Sequence, residues 1–287
     1  MPAIVLDRPG RKVRLEEISA DPPKGLIREK AETRFVSLGK ELFELQEAMY
    51  AAKVTSVLVV LQGRDGAGKD GTIKHVVGCL DPRGVAVTPF GVPTPEELGH
   101  DFLWRIHRHA PRLGEFAIFN RSHYEDVLVA RVHDLVPQST WKERYGHIRD
   151  FEELLSEHGA VVLKYFLHIT KGEQEQRLLE REESPETAWK LNPNDWKERD
   201  YWDEYTEAYE DAIAKTAAKH APWTVVPANA KWYRNLVVAE SIVDALKRRR
   251  AWERTLADMG KAGKAELKAY RAQKGAAKGA KSKRRPA

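Results

Sequence analysis

The residues Gly63-Arg-Asp-Gly-Ala-Gly-Lys69 constrain this chain more than any other stretch, because of what stands on either side of them. Before them runs Val57-Leu-Val-Val-Leu61, a continuously apolar, β-rich segment of the kind buried on both faces of a parallel sheet. After them, Thr72, Ile73, Val76 and Val77 recur at helical spacing. A GxxxxGK turn between a buried strand and a helix is a phosphate cradle. Its glycines let successive backbone N–H groups point inward, the helix start adds positive potential, and Lys69 reaches the terminal phosphates. A chance glycine-rich turn would not bring loop, lysine and both flanking elements together. Gly66, Ala67, Gly68, Lys69, Asp70, Gly71 and Thr72 are therefore read as phosphate-binding, with Lys74 adding positive charge for a polyanion.

Two acids in this stretch bear on metal. The position after the lysine, where Ser or Thr ordinarily meets magnesium, is Asp70, so metal must be held differently. Asp65 lies inside the loop, where a carboxylate repels phosphate unless a divalent cation sits between them. Asp65 is read as a Mg²⁺ ligand; a solvent-facing loop acid is the alternative.

Further β-like runs at Val85–Thr88, Phe116–Phe119, Val161–Ile169 and Trp223–Pro227 are separated by helix-length amphipathic segments. This alternation predicts an α/β fold, a doubly wound parallel sheet with helices on both faces. A lead-in helix is expected from Arg28 to Tyr50, and a closing helix from Trp232 to Arg250. Residues 1–27 read as an irregular N-terminal segment broken by Pro22-Pro23, and residues 28–250 as one phosphotransferase domain. Between 182 and 200, two prolines, two tryptophans and dense charge without an apolar stripe suggest a mobile lid. The net charge of +5 arises largely in residues 251–287, a basic tail read as solvated and disordered, with polyanion or nucleic-acid binding as the other reading. No segment approaches a membrane span or a signal peptide, so a soluble, cytoplasmic protein is expected. The single cysteine, Cys79, lies among apolar neighbours and is read as a core thiol.

Asn120-Arg-Ser-His-Tyr-Glu-Asp126 follows the run Phe116–Phe119, at the carboxyl end of a strand, where open α/β sheets place ligands. Arg121 offers a planar fork of donors to phosphate oxygens, and Glu125 could assist magnesium or accept a proton. The bland alternatives are a structural ion pair for Arg121 and a helix-start carboxylate for Glu125; His123 reads as structural. Arg177 and Arg181 are four apart, hence on one helix face, with Lys190 and Arg199 following in the lid. They could close over a polyanion, or be solvated surface paired with Glu173 and Glu180. Of Phe90, Trp104, Trp189 and Trp202, each reads first as core.

The stretches GRDGAGKDGTIKHV, TPEELGHDFLWRIH, FNRSHYEDVLVARV, the lid's Trp-Lys and APWTVVPANAKWYRN, in that order, resemble the type 2 polyphosphate kinases. The resemblance runs from about Leu42 to Leu246 and implies a thymidylate-kinase-like P-loop fold. It also implies polyphosphate as donor or acceptor, an adenine or guanine nucleotide as the other substrate, Mg²⁺ as cofactor, and a homodimer or homotetramer. By position, Asp65 is similar to the family's loop aspartate, Lys69 to its phosphate-binding lysine and Arg121 to the arginine beside its strand-end acid, while Phe90-Gly-Val-Pro93 resembles its nucleotide-side loop and implies a weak nucleotide contact at Phe90. Asn120 stands where many members carry Asp, and with His-Tyr-Glu-Asp it resembles the subgroup acting on both mono- and diphosphates. An ATP-dependent nucleoside monophosphate kinase would use the same loop and lysine. A nucleic-acid-binding protein with a vestigial loop would explain the basic tail but not the set Asp65, Lys69, Arg121 and lid.

Overall fold

A computed structural model of the chain describes residues 3–183, 185 and 192–282. A six-stranded sheet forms its centre: β1 (Ile4–Leu6), β2 (Ser56–Gln62), β3 (Val85–Pro89), β4 (Phe116–Asn120), β5 (Ala160–His168) and β6 (Trp223–Pro227), in the spatial order β1-β6-β5-β2-β4-β3. The longer helices are α1 (Arg28–Ala52), α2 (Lys69–His75), α3 (Gln138–Glu157), α4 (Lys171–Glu183), α5 (Pro193–Asp200), α6 (Trp202–Thr216), α7 (Lys231–Arg248) and α8 (Ala251–Ser282). Each strand that the apolar runs predict is present.

Every residue of β2 is buried, as a central strand covered on both faces must be. Its side chains alternate between two cores. Val57, Val59 and Leu61 join α1 and α7 in one, with Leu38, Leu42 and Val243, while Leu58 and Val60 join α3 and α6 in the other, with Ile148 and Ile213. The β2–β4 register pairs Leu61 with Asn120, so the two chain segments that leave these strands emerge side by side at the carboxyl edge. That register brings Arg121 to the phosphate loop, and the Arg121 N–H donates to the Leu61 carbonyl at 3.1 Å.

Three sequence expectations change. The N-terminal segment is not wholly irregular: Ile4–Leu6 pairs antiparallel with Trp223–Val225, so the sheet is mixed rather than all-parallel. Three residues are too few for an alternating pattern to show in sequence. Residues 251–282 are helical instead of disordered, because Ala, Lys, Leu and Glu are strong helix formers and Trp252, 2% exposed, anchors the start of α8 in the core beside α1. The domain therefore extends beyond 250. The stretch read as a lid contains α5, capped by the Asn192 side chain, and Arg199 ties it to the Lys171 carbonyl at 2.6 Å and to Glu175. Trp189 and Lys190 lie outside the described residues. Among the described residues no helix is long and apolar enough to cross a membrane.

Emptying the Trp252 site should therefore cost more than removing the outer part of α8. Trp252→Ala is expected to lower unfolding stability by about 3–5 kcal/mol, whereas a chain ending after Asp258 should unfold at the wild-type denaturant midpoint. Equal stability of Trp252→Ala and the parent would show that α8 does not belong to the core.

Candidate active site

The loop from Gly63 to Gly68 turns on glycines with positive φ: 152° at Gly63, 82° at Gly66 and 98° at Gly68. Lys69 at the start of α2 folds over it, its Nζ donating to the carbonyls of Gly63 at 2.7 Å and Arg64 at 3.3 Å. Burial lowers the Lys69 pKa, and Asp65, 3.8 Å away, works against that shift.

Arg177 on α4 holds the loop from behind. It is 5% exposed, and its Nε donates to Glu173 at 2.7 Å. Its Nη1 donates to Gly66 O at 2.8 Å and Ala67 O at 3.2 Å, and its Nη2 to Ala228 O and Asn229 O, both at 2.7 Å. All five guanidinium N–H groups are thus used within the protein. Arg177, expected to bind phosphate, borders the cleft along this loop, but its donors are used within the protein and brace the loop's backbone against the β6–α7 connection.

On the opposite side Arg121 reaches across. Its φ of 64° is a left-handed conformation that a side chain rarely adopts, and such strain concentrates at functional sites. Nη2 donates to Asp65 Oδ1 at 2.9 Å, and Nη1 lies 3.6 Å from Glu125 Oε2, so one guanidinium separates two carboxylates. Burial works to lower the Arg121 pKa, but Glu125 and Asp65 outweigh it and the net shift is upward. For Asp65, burial pushes the other way, yet Lys69 and Arg121 hold the carboxyl below its usual range. Glu125 is shifted up by burial, against the pull of Arg121 and a hydrogen bond from Gln62 Nε2 at 3.1 Å. The residues between are anchored out of sight. His123 and Tyr124 are fully buried against Glu152, which also binds Lys164 at 2.6 Å.

Two clefts meet at this point and share only Asp65 and Arg121. The first, about 460 Å³, is walled by Val92, Leu128, Leu135, Trp202, Tyr205 and Tyr209, with Arg64 stacked 3.7 Å from the Trp202 ring centre. The second, about 710 Å³, runs along the phosphate loop and among the described residues is lined by six Lys or Arg residues against three carboxylates, with no Val, Leu, Ile, Phe, Tyr or Trp. Gly66, Gly68, Lys69, Asp70, Gly71, Arg121 and Arg181 face this second cleft, as their assignment to phosphate requires.

Other expected contacts fall elsewhere. The Ala67 N–H donates to Arg64 O at 3.0 Å, and the Thr72 hydroxyl donates to Gly68 O at 3.1 Å, so both are spent on the loop itself. Lys74 is exposed and lines neither cleft. Phe90 is 5% exposed and packs edge-on against Phe119, which makes it core rather than a base contact. Arg181 meets Asp195 of α5 at 2.9 Å. Sequence reasoning missed Lys231, Arg234 and Asn235 on the first turns of α7, and missed the aromatic wall from α6. The α7 residues were findable, since that helix starts at the carboxyl end of a strand like every other ligand-bearing segment here.

As for metal, no group of three or more His, Cys, Asp or Glu suited to an ion occurs among the described residues. Mg²⁺ does not demand one: it keeps several waters and binds through one or two carboxylates together with substrate phosphates. Asp65 and Glu125, both bordering the junction of the clefts, fit that description.

A loop with this cradle, a strand-end arginine and two converging clefts defines a P-loop phosphotransferase. The chain belongs to the polyphosphate kinase 2 family, whose description matches residues 25–254. It is 54% identical over 210 residues, 73% of this chain and 79% of the relative, to the AMP/ADP-polyphosphate phosphotransferase of Meiothermus ruber. It is 40% identical over 220 residues, 72% of this chain and 76% of the relative, to the ADP-polyphosphate phosphotransferase of Rhodopseudomonas palustris. Among solved structures, polyphosphate kinase 2 from Arthrobacter aurescens superimposes with a TM-score of 0.81 at 41% identity, covering 84% of this chain and 87% of that one.

Arg177 and Arg181 should separate in a stability measurement. Arg177→Met leaves four carbonyls and Glu173 without their donor, and is expected to cost about 3 kcal/mol or more. Arg181→Ala, at a partly exposed pair, should cost less than about 1 kcal/mol. A wild-type denaturant midpoint for Arg177→Met would remove the brace from the account.

Proposed function

We propose that this protein is a Mg²⁺-dependent kinase that moves phosphoryl groups between inorganic polyphosphate and AMP or ADP, in either direction. The observation that carries this reading is the pair of unlike clefts joined at Asp65 and Arg121. A polyphosphate chain offers charge and no base, so it suits the cleft with many cations and no apolar wall. A purine nucleotide has a base to bury, and the cleft of Trp202, Tyr205, Tyr209, Val92 and Leu135 provides an aromatic and aliphatic surface for it. The names of the Meiothermus ruber and Rhodopseudomonas palustris relatives support the same assignment.

The roles follow from charge. Lys69 and the loop N–H groups hold the phosphate to be transferred, while Arg121 at the junction faces both substrates and neutralises charge that develops between them. The attacking oxygen of AMP or ADP belongs to a phosphate whose second pKa is about 6, so it is already ionised at neutral pH and needs no general base. Glu125 is therefore assigned to bracing Arg121 and, with Asp65, to Mg²⁺. Magnesium supplies positive charge between two polyanions that would otherwise repel. Its presence also explains a carboxylate inside a phosphate loop. The α4–α5 region with Arg181 is assigned to covering the polyphosphate.

An ATP-dependent monophosphate kinase is the second reading. Against it, the described residues beside the phosphate loop offer no apolar wall on which an ATP adenine could rest.

The deciding experiment incubates pure protein with Mg²⁺, polyphosphate and either AMP or ADP, and resolves the products by chromatography. Formation of ADP or ATP is expected; turnover only with ATP as donor would replace this reading by the second one. Asp65→Asn should lower turnover by about 100-fold or more with an unchanged circular dichroism spectrum, and near-normal activity would withdraw the metal assignment. Because the polyphosphate cleft relies on charge alone, its apparent KM should rise more steeply with added salt than that for nucleotide.

A further inference from the structure

Arg234, near the start of α7, is 2% exposed and has no carboxylate partner among the described residues. Its Nε and Nη2 both donate to Oδ1 of Asn235, at 3.1 and 2.8 Å. Both protons of Nη1 and the second proton of Nη2 have no protein acceptor among the described residues. Its nearest charged influence is another cation, Arg177; burial and that neighbour pull its pKa down to about 10, so it remains charged at neutral pH. A buried guanidinium with a like-charged neighbour and unused donors is costly unless an anion completes it.

Its position says where that anion would lie. A Cβ built on Gly68 would come within 1.8 Å of Arg234 Nη1, and one on Gly71 within 2.9 Å of Nη2. The guanidinium is therefore laid directly on the start of α2, and these two glycines make room for it as well as for phosphate. It lines the same cleft as Lys69, with Lys231 three residues earlier on α7 and Arg181 on α4.

We propose that Arg234 is a second anion subsite, which binds a phosphate group of an inorganic polyphosphate chain beyond the one held by Lys69. This rests on the reading of the cation-lined cleft as the polyphosphate side. A nucleoside triphosphate could place a phosphate there too, but its nucleoside would then lie against a cleft wall whose described residues offer it no large apolar side chain.

The test is binding of inorganic tripolyphosphate, orthophosphate and ATP to the full chain without a nucleotide acceptor, by calorimetry, in wild type, Arg234→Met and Arg234→Lys, with thermal unfolding of each free protein. Arg234→Met should unfold at or above the wild-type temperature, because an uncompensated buried charge is gone, and should bind tripolyphosphate about tenfold more weakly. Orthophosphate, which Lys69 and the loop can hold alone, should be little affected, and Arg234→Lys should recover part of the tripolyphosphate affinity. Unchanged tripolyphosphate affinity in Arg234→Met overturns the subsite. A drop in unfolding temperature with equal loss of every ligand makes Arg234 a brace for Gly68 and Gly71 instead. Equal affinity of wild type for ATP and tripolyphosphate, with equal loss in both variants, makes the occupant a nucleoside triphosphate. Weakened tripolyphosphate binding in a protein that turns over no polyphosphate would sink the reaction proposed above and leave the subsite standing.

Discussion

Mutual repulsion among cations is the constraint around which this molecule is arranged. Lys69, Arg121, Arg177, Arg181, Lys231 and Arg234 border one cleft, and six like charges do not stay together without internal acceptors. The fold supplies them unequally. Arg177 is fully satisfied by four backbone carbonyls and Glu173, so it acts as structure. Arg121 is partly satisfied by Asp65 and Glu125, which fixes its direction while leaving it at the junction of the clefts. Arg234 has only an amide oxygen. This gradation, from a saturated cation to an unsaturated one, separates the groups that build the site from those that are left for a ligand.

Rigidity behind the junction has a separate source. Arg121 and Glu125 flank His123 and Tyr124, whose side chains enter a dry cluster with Glu152, Lys164 and Thr216. Lys164 Nζ donates to Glu152, to the Tyr124 hydroxyl and to the Thr216 carbonyl, at 2.6, 3.0 and 2.8 Å. A buried ion pair of this sort contributes little net stability, yet it permits one arrangement of the turn and few others. The strained backbone of Arg121 is held by that cluster on one side and by the β2–β4 register on the other. Thr216 ends α6, whose other end carries Trp202, so the turn and the aromatic wall of the first cleft belong to one packed unit.

Much of this was legible in the residues. The apolar runs fixed five strands because burial on both faces leaves a continuous hydrophobic signature, and the loop from Gly63 to Lys69 could be placed at a strand end by its neighbours alone. Arg121 was found because a polar cluster directly after a buried strand has few structural reasons to exist. Phe90 and Arg177 misled for one shared reason: residue type and spacing show what a side chain could do, and burial decides whether it is spent. β1 and α8 were missed because their order depends on partners far along the chain, Trp223–Val225 for the one and the α1 core for the other.

The sequence by itself determined a GxxxxGK loop on an α/β sheet and the family, and it singled out Asp65, Lys69 and Arg121, since these rest on local pattern: a glycine turn, a helix start, a strand end. Only the tertiary structure decided which arginines are committed and which are available, and that the loop stands between an aromatic cleft and a cationic one. Arg177 and Arg181 share one helix face in sequence and border one cleft, yet the first spends its guanidinium on backbone carbonyls and the second pairs with Asp195 of α5. Hydrogen-bond satisfaction is a property of three-dimensional neighbours brought from distant segments, so no reading of α4 or α7 alone could have separated the brace from the binding group.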